Sequence, residues 1–384
     1  MALFDFDELT LRRGTASLKW DTIDNPDVIP LWVADMDFRT APEITAALEE
    51  RVKSGIFGYV DIPSEYYRAL SSWFLRRHGW RIIPDQVIVT SGVVPAISAI
   101  IKAFTHPGDG VILQTPAYNC FFSSIRNNGC RQFDNPLVRI EKDSTFTYDI
   151  EFEDLERLAA DPRNKLLILC NPHNPTGRVW TRKELEEIRD ICSRHSVKIV
   201  SDEIHCELTH PGYEYTPFAS VDPTAIICCS PSKAFNTAGL QIANIIAPLP
   251  SDRYAIDRAI NDNEVCDVNP FGVVGLIAAY DKGELWLSSL KQYLEDNRKM
   301  LIDELTHSFP DWEICDSQAT YLAWIDVSRS GLDGDMVEKI LLEEAKVKVS
   351  SGGGYGAKDF IRINYATSRI RLAEALRRMK NSLK

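Results

Sequence analysis

The chain has 384 residues, 45% of them hydrophobic and 26% charged, a composition that suits a globular protein with a sizeable core and more than one domain. Its formal net charge of -12 argues against nucleic acid or an anionic membrane surface as a partner, so an anionic ligand must be drawn by local positive charge. No apolar run approaches the roughly 18 residues of a membrane span.

The opening MALFDFDELT is acidic and lacks a basic flank with an apolar core, so no secretory leader is expected. Pro26 and Pro30 make the first segment irregular, and Leu31 to Phe38 (LWVADMDF) fits a short strand ending in a turn. The spacing of Ile44, Ala47, Leu48 and Val52, with Pro42 in the first turn, predicts a helix over 41–55. GIFGYVDIP is a loop by its Gly and Pro, and it carries Tyr59. A helix over Ser64–His78 and a strand over Gln86–Thr90 follow. Ser91-Gly92 then breaks the pattern before a helix over Val94–Phe104. A strand, a small-residue turn and a helix N-terminus form a geometry that binds phosphate, although many such turns hold nothing.

Apolar strands over Val111–Leu113, Leu166–Cys170, Lys198–Ser201, Ala225–Cys229 and Ile242–Ala247 alternate with helical stretches. One of those helices opens on the capping box Thr181-Arg-Lys-Glu184. This order predicts an α/β fold with a mostly parallel sheet covered by helices on both faces. Ligands of such sheets sit beyond the carboxyl ends of the strands. Three of those ends carry NPHNPTG from Asn171, DEIH from Asp202 and SPSK from Ser230. With Ser91-Gly92 they place four loops on one rim. After Pro270 a long helical stretch over 283–308, short strands over 321–327, 347–350 and 360–364, and a closing helix over 368–380 predict a smaller α+β domain. Gly352-Gly353-Gly354 is expected to be its most flexible point. The expected division is 1–45 as an N-terminal arm and part of the small domain, 46–282 as the large domain, and 283–384 as the small domain. The nine cysteines are odd in number and mostly within apolar strands, with neither zinc-site nor disulfide-framework spacing. They read as reduced packing residues of a cytoplasmic protein.

Within IICCSPSKAFNTAG, Lys233 stands where a buried strand gives way to a small-residue turn. Burial lowers an amine's proton affinity, and the neutral amine is the form that attacks carbonyls. The hydroxyls of Ser230 and Ser232 are suited to hold an anion beside it. The set fits a Schiff-base lysine under pyridoxal 5'-phosphate (PLP); a solvated lysine at a strand end fits the same residues.

Seven segments, LWVADMDF, GYVDIPSEYYRA, SGVVPAI, CNPHNPTG, SDEIH, SPSKAFNTAGLQ and FIRINYA, occur in the order of the fold-type I PLP enzymes. From Leu31 to Arg369 the chain resembles the class I/II aminotransferase superfamily, and within it the bacterial C–S lyase branch of cystathionine β-lyase-like enzymes and the maltose-regulon modulator. The resemblance implies that Lys233 carries the cofactor and moves the Cα proton. It further implies that Asp202 pairs with the pyridine nitrogen, Asn174 bonds the phenolic oxygen and Tyr118 stacks on the ring. The phosphate would rest on amides around Val93 and Val94 and on Ser230 and Ser232, with Tyr59 reaching it from the second subunit of a homodimer. Arg362 would grip the substrate α-carboxylate, near Ala34 and Asn174. Packing alternatives remain for Tyr118, as a core aromatic, and for Arg362, as a surface strand arginine. Tyr59, Asn119, Phe121 and the loop after Ala34 are expected around the substrate side chain.

Two positions depart from the common aminotransferase pattern. Gln241 stands where many carry a phosphate-binding arginine, and His205 stands where many carry a tyrosine. Both resemble the lyase branch, and His205 fits either contact with the phenolic oxygen or packing. The expected reaction is β-elimination from a sulfur amino acid, with a true aminotransferase as the alternative. Ser230-Pro-Ser-Lys233 also matches the S-x-x-K of penicillin-recognising serine enzymes, but S-D-N, K-T-G and the matching element order are lacking. A regulatory role on the same scaffold has no partner surface legible in the chain.

Overall fold

The computed structural model describes residues 4–143 and 145–383. Seven strands form the large sheet in the order Val87–Thr90, Ala243–Ile246, Ile226–Cys229, Lys198–Asp202, Asn164–Cys170, Gly110–Thr115, Arg131–Pro136. All are parallel except Ala243–Ile246, which runs against both neighbours. Within these apolar strands the period of two divides the side chains between two cores. Ile227, Cys229, Leu167 and Leu169 enter one, while Ile226, Cys228, Leu166 and Ile168 enter the other. Helices Val93–Phe104 and Pro250–Asn261 cover the second core. Helices Pro42–Lys53, Ser64–His78 and Pro270–Lys282 pack together over the first. Thr181 and Glu184 close the expected capping box on the helix Arg182–Arg194.

A second, antiparallel sheet has the order Glu313–Ile314, Leu322–Asp326, Phe360–Asn364, Ser350–Ser351. It lies with the helices Glu284–Ser308 and Arg369–Ser382. The longer of these buries Trp286, Leu287, Leu290, Leu294, Leu301 and Leu305 at helical spacing. Ile29–Pro30 pairs in parallel with Val347–Lys348, which joins the N-terminal segment to this part of the chain.

Two local expectations are corrected. Leu31–Phe38 does not extend a strand; the strand is only Ile29–Pro30, and the segment beyond is irregular. Gly352–Tyr355 is a 3-10 turn rather than a loose point. Gly352 is buried, and a Cβ there would lie 2.1 Å from the Ala357 carbonyl oxygen, so close packing excludes any larger residue.

Candidate active site

Because the six parallel strands point one way, the loops after Thr90, Thr115, Cys170, Asp202 and Cys229 meet on one rim. There they enclose a cavity of about 280 Å³. Ala34, Val93, Val94, Tyr118, Asn174 and Asp202 line it, together with Ser230, Ser232 and Lys233. Residues separated by as many as 199 positions are thereby brought into one site.

At one end of the cavity the helix Val93–Phe104 begins one residue earlier than its sequence pattern predicts. Its first intrahelical acceptor, the Gly92 carbonyl, serves Ala96. The N–H groups of Val93 and Val94 therefore have no acceptor within the helix and lie at the positive end of its dipole. Ser230 contributes less than expected. Its hydroxyl donates to the Ile242 carbonyl at 2.7 Å and accepts from the Ser232 N–H at 3.1 Å, so its proton is already used on the protein backbone. Gln241 reaches the cavity wall from a left-handed backbone position, φ 53°.

Lys233 follows the buried strand Ile226–Cys229 and donates from Nζ to the Ala34 carbonyl at 2.8 Å. Burial, and then the nearby Arg362 charge, push its amine down to about 8 from 10.5. Asp202 ends the neighbouring strand, almost fully buried. Burial pushes its carboxyl up to about 7, although Lys233 opposes the rise. Among the described residues its sole hydrogen-bond donor is the Ile204 N–H at 3.1 Å. A buried carboxylate so poorly partnered is set to receive a cation.

Arg362 is 4% exposed and lies 4.6 Å over the Tyr355 ring. It donates from one terminal nitrogen to Asn174 Oδ1 at 3.1 Å and from the other to the Trp32 carbonyl at 3.0 Å. Its Nε is sealed without a partner. Burial of this arginine excludes the surface-strand alternative. Tyr118 packs edge-on against Phe121, with centroids 5.6 Å apart and an interplanar angle of 89°.

The remaining expected residues lie outside the cavity of the single chain. Tyr59 is 97% exposed on its loop. Asn119 is exposed, and Phe121 is buried in the core beneath Tyr118 instead of lining the substrate space. Phe121 shares one helix face with Ser124 and Ile125, which are also buried, so helical periodicity turns it inward.

Several organising residues escaped the sequence reading. Asn236, three residues after Lys233 and left-handed at φ 54°, accepts from the Met36 N–H and donates to the Met36 and Phe38 carbonyls. Asn364 donates to the Val33 and Asp35 carbonyls. Together they fix the loop that presents the Ala34 carbonyl. Strand alternation gave a signal for Asn364, since it shares a face with Arg362 in FIRIN. Tyr321 donates to the same Ala34 oxygen at 2.9 Å. Glu203, beside Asp202, is fully buried. It accepts from Tyr215 Oη, from the Phe218 N–H and Ser201 Oγ, each at 2.9 Å, and from Asn171 Nδ2 at 3.3 Å. It thereby ties the ends of the two strands that carry Asn174 and Asp202.

An amine of lowered proton affinity, a buried acid and a helix N-terminus around one cavity, set on this strand order, define the fold-type I class of PLP enzymes. The chain belongs to the aminotransferase class I and II family, whose sequence profile matches residues 26–379. It is 40% identical to cystathionine beta-lyase PatB of Bacillus subtilis (strain 168), across 99% of this chain and all of that protein. It is 33% identical to protein MalY of Escherichia coli (strain K12), across 100% and 99%. Among solved structures it is similar to cystalysin from Treponema denticola, which contains a PLP cofactor (34% identity, TM-score 0.94, 99% of each chain). A PLP-bound C-S lyase from Staphylococcus hominis, in external aldimine form with the inhibitor L-cycloserine, is also similar (33% identity, TM-score 0.91, 99% of each chain).

Proposed function

We propose that the protein is a PLP-dependent carbon–sulfur lyase that acts on cystathionine, cystine or a related S-substituted cysteine. With one water consumed, the products are a thiol (a persulfide where the substrate is cystine), pyruvate and ammonia. The observation that carries this reading is full-length similarity to a cystathionine beta-lyase at 40% identity, in a chain whose Lys233, Asp202 and Asn174 line one cavity, with Arg362 hydrogen-bonded to Asn174 behind it.

The residues fit the cofactor on their own chemistry. Asp202 offers a buried carboxylate to a ring cation, the Val93 and Val94 amides with Ser232 offer donors to a phosphate, and Tyr118 offers a flat face. Asn174 has its oxygen engaged by Arg362, which leaves its amide hydrogens for an acceptor in the cavity. When bound, PLP supplies the aldehyde that takes the substrate amine and a ring that withdraws electrons from Cα. Lys233 takes the proton from Cα and can pass it to the departing sulfur, a role for which an amine near pH 8 is suited. Arg362 receives the substrate carboxylate in a planar two-bond fork, beside the Ala34 segment.

Ile56, Phe57 and Tyr59 are 72%, 58% and 97% exposed on one irregular loop. An apolar display of this size is covered in a homodimer, in which Tyr59 joins the phosphate end of the partner's cavity. The nine cysteines are all unpaired, and no helix among the described residues is long and apolar enough to cross a membrane. Both observations support a cytoplasmic location.

Purified protein given cystathionine and PLP should release pyruvate and free thiol in equal amounts without a keto acid. Strict dependence on an added keto acid would reject the lyase in favour of an aminotransferase. Light scattering should return twice the chain mass, and a monomer with full activity would reject the shared site.

A further inference from the structure

His210 is 8% exposed and has a backbone carbonyl at each ring nitrogen: Ser317 lies 3.0 Å from Nδ1 and Thr320 lies 2.8 Å from Nε2. A neutral imidazole has one N–H, so one of these oxygens then meets a lone pair. Only the doubly protonated ring serves both. A third group decides which oxygen loses its donor. The Tyr365 hydroxyl sits 2.9 Å from the Thr320 carbonyl and 3.2 Å from His210 Nε2, and its single hydrogen can go to either. Burial keeps that phenol protonated. Among the described residues the charged groups acting on the ring are Glu295 and Arg298, both on the helix Glu284–Ser308. Burial holds the ring's proton affinity below the ordinary histidine value; Arg298 adds to this, while the two carbonyls and Glu295 oppose it.

The Thr320 carbonyl belongs to a constrained residue. Thr320 is β-branched yet left-handed, at φ 76°, a backbone state that persists only where its surroundings hold it. Its N–H donates to the Leu208 carbonyl. Its neighbour Tyr321 donates to the Ala34 carbonyl, the oxygen that also receives Lys233 Nζ. We propose that His210 is a positioning residue for the base, whose doubly protonated ring grips the Thr320 carbonyl and so fixes Tyr321 against Ala34. Loss of the Nε2 proton to solvent turns the Tyr365 hydrogen to the ring and leaves the Thr320 carbonyl without a donor. The inference rests on the lyase reading above, which makes Lys233 the base.

The test follows the His210 ring 15N signals of the PLP-loaded protein against pH. Both nitrogens should carry hydrogen at low pH, and Nε2 alone should lose it as pH rises, with a midpoint below about 6.5. A neutral ring protonated on Nε2 would overturn the proposal, since Thr320 would keep its donor. Tyr365→Phe removes the hydrogen that the neutral ring accepts, so it should raise that midpoint by up to about one pH unit. An unmoved midpoint also overturns the proposal. Dividing kcat/KM of the parent by that of His210→Phe cancels titrations common to both proteins. The ratio should fall about 2- to 10-fold as pH rises through the ring's midpoint. A ratio constant with pH, the result of mere packing, overturns the positioning role. A parent protein that releases no pyruvate from cystathionine at any pH overturns the lyase reading, and this role with it, whatever the ring signals show.

Discussion

The Asp202→Asn substitution removes the charge that the cavity holds ready for a cation and leaves the side-chain shape in place. Burial raises this carboxyl from 3.8 to about 7. Between those values the folded, cofactor-free chain keeps a proton that the unfolded chain has released. Its stability therefore falls as pH rises through that window, and the full cost is present above about pH 7. At about 1.36 kcal/mol for each factor of ten in proton affinity, that cost is about 4 kcal/mol. Asparagine has nothing to ionise and escapes it. The cofactor-free variant should accordingly be more stable than the cofactor-free parent at pH 8, by as much as about 4 kcal/mol, or roughly 5 °C for a chain of this length. At pH 4 the two should coincide. PLP reverses the order, because a protonated ring nitrogen gives the parent's carboxylate its counter-ion and gives the asparagine little. Thermal unfolding of both proteins from pH 4 to 8.5, with and without PLP, measures every part of this. Cofactor-free curves that stay parallel across the range would refute the reasoning, as would PLP stabilising the variant as much as the parent.

Arg362→Lys should lower kcat/KM about 10- to 100-fold through KM, because an ammonium cannot reproduce the two-bond fork; steady-state kinetics that match the parent would remove Arg362 from carboxylate binding. Glu203→Gln leaves donors facing donors at the ends of two strands, and urea unfolding should show a loss of about 2–3 kcal/mol. A variant as stable as the parent would show that this carboxylate carries no structural burden. The rate at which the cofactor-free protein takes up PLP should climb with pH and level off above about 8, since the neutral Lys233 amine is the reacting form. A midpoint near 10.5 would place that amine in ordinary solvent.

The large sheet could be read from the chain because its strands are continuous apolar runs and its helices carry their own start signals, Thr181 and Glu184 among them. Lys233, Asp202 and Asn174 could be read because each stands just past such a run, where a parallel sheet gathers its ligands. Other features depend on contacts between distant segments, which local pattern does not encode. The apolar stretch around Trp32 was read as a strand because nothing nearby indicates that Asn236 and Asn364 take up its carbonyls. The first of the three glycines was read as loose because its need for a small residue comes from the Ala357 and Phe360 carbonyls later in the chain. Phe121 was placed near substrate by its closeness to Tyr118 in sequence, while the helix it belongs to turns it to the core.

The clasp on the Ala34 segment has a mechanical implication. Asn236 grips it from the turn that bears Lys233, and Asn364 grips it from the strand that bears Arg362. Tyr321 shares the Ala34 oxygen with the amine. The same few residues of chain are thus yoked to both halves of the molecule. That segment therefore cannot shift without disturbing both the turn that bears the lysine and the strand that bears the arginine.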